Sequence, residues 1–197
     1  MENKHKLFDN LKKEIYLLWS KHKKLNEFVK LPKNLTYNRI LKNKIKPVRI
    51  LENWEENDSS IKSIHNLIKE ISPHAHWKQT YSEKDVGKRF LNKFAYFELF
   101  GPTGHFLTNK MSLFVIFFDK GTYYTWHNHE AEELYFVISG NAKFESEGDK
   151  SEILYKTRIR LHKSFQPHSL TTQNDKCLCF VVWRNKLDCE VKVVNNF

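Results

Sequence analysis

From about residue 95 the sequence breaks into short apolar or alternating runs: AYFELF, SLFVIFF, TYYTWH, ELYFVI, AKFESE, EILYK, RIRL, SLTT and CLCFVVW. The segments GPTG, DKG, SGN, EGDK and QND stand between them. Runs this short, rich in β-branched and aromatic residues and punctuated by turn formers, make strands. So many strands at such close spacing imply a sandwich or a barrel. The longest apolar run, LFVIFF at 113–118, is far too short to cross a bilayer as a helix.

The preceding part has a different period. Leu7, Leu11, Ile15, Leu18, Leu25 and Phe28 recur near helical spacing among charges, which predicts an amphipathic helix over 5–30 ended by Leu31-Pro32. A second helix is predicted over 59–71, with Asp58 or Ser59 as its cap and Ile61, Ile64, Leu67, Ile68 and Ile71 as its apolar stripe. Ser72-Pro73 stops it, and Ser82 caps a third helical piece through about residue 93. Helices first and strands afterwards give an α+β chain, mainly β, with residues 1–94 as a basic helical extension packed on an all-β domain of 95–197. A chain of 197 residues suits one such unit with a sizeable core.

The formal charge of +10 suggests nucleic acid until its location is considered. Residues 1–50 hold 14 Lys+Arg against 4 Asp+Glu, whereas residues 51–197 hold 19 of each. Lysines spread along amphipathic helices, with no dense block, read as a solvated face. The partner expected is therefore a small molecule, not nucleic acid and not a membrane. Cys177, Cys179 and Cys189 are odd in number and lack CxxC spacing, and the start of the chain has no apolar segment of signal-peptide length. Both features imply reduced thiols in a cytoplasmic protein.

The chemistry concentrates in GTYYTWHNHEAEELYFVISG, residues 121–140. Side chains two apart on a strand share a face, so His127 and His129 point together, as do Glu133 and Tyr135 if 130–132 form the turn between two strands. Imidazole and carboxylate are suitable ligands for Zn, Fe(II), Mn or Ni, and His168, after Pro167 at the start of a later strand, can complete the set. His5, His22, His65 and His105 read as hydrogen-bonded structural histidines. His74 and His76 in SPHAHW have ligand-like spacing but no carboxylate beside them.

Gly121, His127, His129, Glu133 and Gly140 reproduce, at full spacing, the first signature of the cupin superfamily. Pro167-His168 matches the second signature, without the glycine usual before the histidine or the asparagine usual after it. The stretch from about 96 to 186, with ELFGPTG, YYTWHNHEAEELYFVISG, FQPHSLTT and VVWR, resembles the cupin-type dimethylsulfoniopropionate lyases, which also carry a helical amino-terminal extension. The resemblance implies a cupin barrel, one divalent metal ion as cofactor, and cleavage of dimethylsulfoniopropionate to dimethyl sulfide and acrylate. It implies that His129, Glu133 and His168 hold the metal, with His127 or Tyr135 in or near its ligand shell.

Such a reaction needs a base, and a phenol near a cation becomes acidic enough to serve, which singles out Tyr135. The substrate is a zwitterion whose sulfonium end suits aromatic faces, for which Tyr123, Tyr124, Trp126 and Trp183 are available. The resemblance points to Tyr124 and Trp183, and gives Tyr124 a place in catalysis; strict strand parity instead puts Tyr123 on the ligand face. A bulge beside the site would reconcile the two. Two rival readings stay open at this point: another metal-dependent cupin enzyme, such as a dioxygenase or an isomerase, and a non-enzymatic cupin sensor of a small ligand. Pairing into a homodimer is also open.

Overall fold

The protein, in a computed structural model, is described over residues 2–56 and 61–194. The helices are α1 (Glu2–Lys21), α2 (Lys23–Phe28), α3 (Val48–Glu52), α4 (Lys62–Ile71) and α5 (Glu83–Leu91). The strands are β1 (Thr36–Tyr37), β2 (Phe94–Gly101), β3 (Phe106–Leu107), β4 (Ser112–Phe118), β5 (Tyr123–Asn128), β6 (Glu132–Gly140), β7 (Ala142–Ser146), β8 (Glu152–Leu154), β9 (Ile159–His162), β10 (His168–Thr171), β11 (Cys177–Arg184) and β12 (Lys192–Val193). They form a seven-stranded sheet, β1-β3-β2-β4-β11-β6-β9, facing a five-stranded sheet, β12-β5-β10-β7-β8.

The larger sheet is covered on both sides. Leu178, Phe180 and Val182 of β11 share one core with Leu134, Phe136 and Ile138 of β6, Leu113, Val115 and Phe117 of β4, and the helical residues Phe8, Leu11, Ile15, Ile64 and Ile68. The alternate residues Cys177, Cys179, Val181 and Trp183 turn inward, joining Tyr135, Val137, Phe144 and Leu170 in a second core between the sheets. A strand with no solvated face has no polar alternation, which is why SLFVIFF and CLCFVVW are unbroken apolar runs. Each fully buried Phe or Leu contributes about 1.5–3 kcal/mol, so the helical layer is part of the fold's stability.

Two helical expectations need correction. The predicted helix over 5–30 breaks at His22, which adopts an extended backbone and whose imidazole caps α2 by accepting from the Leu25 N–H at 3.3 Å. A capping imidazole ends one helix and starts the next at a new angle, a function that hydrophobic spacing alone does not reveal. The second helix begins at Lys62 after Ile61; the expected caps Asp58 and Ser59 lie outside the described residues. Ser82 does cap α5, with its N–H donating to Asp85 Oδ2 at 2.9 Å, but Gly87 at φ +76° kinks that helix midway.

The ELFGPTG stretch is a structural clamp. Glu98 accepts from the Thr103 N–H at 3.0 Å and the Ser112 hydroxyl at 2.8 Å, while the register of β2 against β4 slips between Glu98 and Phe100. A Cβ at Gly101, where φ is +152°, would fall 1.8 Å from the Glu98 carboxylate, so glycine is required there.

Candidate metal centre

Four strands converge on one point between the sheets. β5 brings His127 and, just beyond its end, His129; β6 brings Glu133 and Tyr135 on its inner face. β10 opens with His168, paired with His127, and β11 supplies Trp183, paired with Glu133. The turn between β5 and β6 occupies 129–131, one residue earlier than the pattern suggested.

His129, Glu133 and His168 each offer a ligand atom, all within 4.8 Å of one another and all buried. Nε2 of His129 lies 3.4 Å from Glu133 Oε1, and Nε2 of His168 lies 3.1 Å from Glu133 Oε2. These distances bring the atoms together without satisfying them: among the described residues, His129 Nε2, Glu133 Oε2 and His168 Nε2 have no hydrogen-bond partner despite complete burial. Each such orphan costs about 1–3 kcal/mol. The opposite ring nitrogens are committed, His129 Nδ1 to the Ala131 carbonyl at 2.9 Å and His168 Nδ1 to the Gln166 carbonyl at 2.8 Å. A carbonyl only accepts, so the proton sits on Nδ1 and the Nε2 lone pair faces the centre, the tautomer a metal ligand requires. Glu133 is further fixed by the Trp183 indole N–H, which donates to Oε1 at 2.8 Å.

The charges agree with that geometry. Burial pushes the Glu133 carboxyl upward, but positive charge on the neighbouring His129 and His168 rings outweighs it and holds the group well below the usual carboxylate range. Two imidazoles and an ionised carboxylate around three unpartnered atoms fit a divalent cation. His127 stands beside this group: its Nδ1 meets the Thr125 carbonyl at 2.8 Å, its ring stacks on Tyr124 at 3.9 Å, and it lies 4.1 Å from the His168 ring.

A cavity of about 410 Å³ opens onto the centre. Tyr124, His127, His129, Glu133, Tyr135 and Trp183 line it together with Tyr96 and Phe114. Tyr124 is 5 % exposed and turned inward, whereas Tyr123 is 53 % exposed on the opposite face. Strand parity misplaces these two because β5 is irregular against β10: His168 pairs with His127, yet Leu170 pairs with Tyr124. One extra residue of β5 between those pairs turns the alternation over. Tyr123 and Trp126, both expected at the substrate site, are not among the residues lining this cavity.

Two residues near the centre escaped the sequence reading. Tyr81, from the segment before α5, hydrogen-bonds the Tyr124 hydroxyl. His162 ends β9 directly across from Glu133; it is buried, 4.0 Å from the His168 ring, and neither of its nitrogens has a hydrogen-bond partner among the described residues. The available signal for His162 was a histidine at the end of a predicted strand, six residues before His168. His65, by contrast, bridges Ser139 and the Trp54 carbonyl, and His105 accepts from the His76 N–H, so both are structural.

The two sheets form a fold of the cupin kind, with a buried His–Glu–His group that could hold a metal ion, and a cupin-2 domain from Rhodospirillum rubrum shares the fold at TM-score 0.51 and 11% identity, over 63% of this chain and 78% of that one. Residues 20–179 match the dimethylsulfoniopropionate lyase family, and the chain belongs to that family. Dimethylsulfoniopropionate lyase DddQ of Ruegeria pomeroyi is 30% identical over 182 residues, 92% of this chain and 90% of that protein. The crystal structure of the same lyase superposes at TM-score 0.91 with 28% identity, over 95% of this chain and 96% of that one. A chain from the crystal structures of the lyases RdDddP and RnDddQII reaches TM-score 0.94 with 28% identity, over 98% and 100% of the two chains. No helix among the described residues is long and apolar enough to cross a membrane.

Proposed function

We propose that this protein cleaves dimethylsulfoniopropionate to dimethyl sulfide and acrylate by base-initiated β-elimination. Family membership supports a lyase and does not favour the dioxygenase, isomerase or sensor readings. The observation that carries the reaction is that Tyr135 lines the same cavity as His129 and Glu133, two of the three candidate ligands. His129, Glu133 and His168 would hold one divalent ion, Zn, Fe(II), Mn or Ni, with His127 or Tyr135 in or near its shell. That ion would supply Lewis acidity at the substrate carboxylate, offsetting the negative charge that builds when the neighbouring C–H bond breaks.

The protein's own groups do the rest. Burial and the Glu133 charge push the Tyr135 phenol well above its usual range. A phenolate at that position therefore needs positive charge alongside it, which a cation held by Glu133 and the imidazoles would provide. The phenolate oxygen takes the proton α to the carboxylate, the C–H pair becomes the C=C bond of acrylate, and the C–S pair leaves with dimethyl sulfide. Tyr124 and Trp183 present aromatic faces to the sulfonium, each worth about 0.5–2 kcal/mol when desolvated. The partner is this small zwitterion rather than nucleic acid. The three free thiols support a reducing, cytoplasmic setting.

The test is headspace dimethyl sulfide from purified protein given dimethylsulfoniopropionate, with and without chelator. Turnover that vanishes with chelator and in both Tyr135→Phe and His129→Ala is expected. Full activity in both variants would overturn the residue assignments, and no dimethyl sulfide from the metal-loaded parent would overturn the reaction.

A further inference from the structure

The segment from Asn185 to Val194 runs from the end of β11 back across the cavity. Leu187, Cys189 and Val191 pack against the inner core, and the Cys189 sulfur accepts from the Ala131 N–H at 3.3 Å. Lys192 and Val193 pair with Asn128 and His127, and the Val194 N–H donates to the Trp126 carbonyl at 2.8 Å. The segment is thus a fixed wall, and it sets Glu190 into the cavity lining beside Cys189 and Val191.

The charge of that lining is one-sided. It contains two carboxylates, Glu133 and Glu190, and no Lys or Arg. Glu133 is spent at the deep end on His129, His168 and Trp183. Glu190 is exposed to solvent and, among the described residues, has no hydrogen bond or ion pair; the nearby Lys186 is engaged by Glu130 at 3.3 Å. The net charge of +10 belongs to residues 1–50, whereas residues 51–197, which build the cavity, sum to zero. An exposed, unpaired carboxylate on that lining gives the cavity a local negative charge that favours a cation.

We propose that Glu190 is a specificity-determining residue that receives the cationic end of a zwitterionic substrate while the anionic end lies at the His129–Glu133–His168 end of the cavity. This rests on the lyase reading for the identity of the substrate. A buried carboxylate would bind a sulfonium too tightly to release a charged competitor. At the rim, water and salt screen the attraction, so Glu190 favours entry and orientation without trapping the ligand. The aromatic faces of Tyr124 and Trp183 then hold the desolvated sulfonium deeper in.

The experiment uses the full-length, metal-loaded protein and its Glu190→Gln and Glu190→Lys variants. With dimethylsulfoniopropionate at low salt, KM should rise about threefold in Glu190→Gln and about tenfold in Glu190→Lys, with kcat within about twofold of the parent, the scale of one screened charge. The differences should shrink as salt approaches about 0.5 M. Unchanged KM in both variants, or a fall in kcat with KM fixed, overturns the proposal. A calorimetric arm uses two unreactive probes, 3-(trimethylammonio)propanoate and propanoate. The parent should prefer the cationic probe, and the variants should lose that preference while binding propanoate no worse. If the parent releases no dimethyl sulfide yet shows this Glu190-dependent preference, the reaction fails and the Glu190 assignment stands. If the parent binds the cationic probe no better than propanoate, the assignment fails whatever the turnover.

Discussion

The hydroxyls of Tyr81 and Tyr124 lie 2.9 Å apart, joining the segment before α5 to the wall of the metal cavity. Tyr124 is otherwise held by rings alone, stacked on His127 and packed against Phe90, Phe94 and Phe118. Ring contacts fix a plane loosely, whereas a hydrogen bond fixes the position of one atom. Tyr81→Phe removes only that restraint and keeps the ring. It should lower kcat about tenfold, the effect of one lost aligning hydrogen bond of about 1.4 kcal/mol, with KM nearly unchanged and Tm down by about 3–5 °C because the buried Tyr124 hydroxyl loses its partner. A Tm drop that accounts for the lost activity would mark the pair as structural only.

The three orphaned ligand atoms make the metal-free protein less stable than it could be. A divalent ion at a hundredfold excess over its Kd adds about 2.7 kcal/mol. For a chain of this size that is a Tm rise of about 5–10 °C. Calorimetric melts with and without chelator should show the rise in the parent and lose it in His168→Ala and Glu133→Gln. An equal rise in all three proteins would place the ion elsewhere.

The part of this design that a linear reading reaches is the part written in fixed spacing. His127, Glu133 and Tyr135 lie on two strands and His129 opens the short turn between them, so local spacing along the chain is enough to bring them together. His168 announced itself through the preceding proline. Tyr123 and Tyr124 exchanged faces because one irregular residue in β5 resets the alternation, and a bulge leaves no mark in composition. Tyr81 and His162 reach the site through tertiary packing and cross-strand register, relations between residues 43 apart in one case and 29 apart in the other. The two-residue strands β1, β3 and β12 are too short to carry a period.

His162 offers a second stability test. Both its nitrogens are buried without partners among the described residues, and burial, then the neighbouring His168, holds the ring well below its usual pKa and therefore neutral. In the metal-free protein a neutral, unsatisfied imidazole is a cost that a leucine of similar bulk lacks. His162→Leu should raise the metal-free Tm by about 2–4 °C. A lower Tm would mean that the imidazole has a partner, such as an ordered water, worth more than the leucine's burial.

Acid sensitivity should arise in part far from the metal. His105 is buried, stacked on Phe8 at 4.3 Å, and accepts from the His76 N–H at 3.2 Å. Burial, reinforced by His76 and Lys78, lowers its pKa to about 4. The unfolded chain takes up this proton near ~6.5, but the folded chain only near about 4. Protonation therefore favours unfolding: the contribution is fully present above pH ~6.5, is lost as the pH falls toward about 4, and amounts to about 3 kcal/mol in total. About 2 kcal/mol of it is gone by pH ~5, before most carboxylates titrate. His65, lowered chiefly by burial, adds in the same direction. His105→Gln keeps an acceptor for the His76 N–H but cannot titrate. Measured with chelator present, its Tm should fall between pH ~7 and ~5 by about 4–8 °C less than the parent's. Parallel Tm curves for the two proteins would show that His105 finds room to be charged in the folded state.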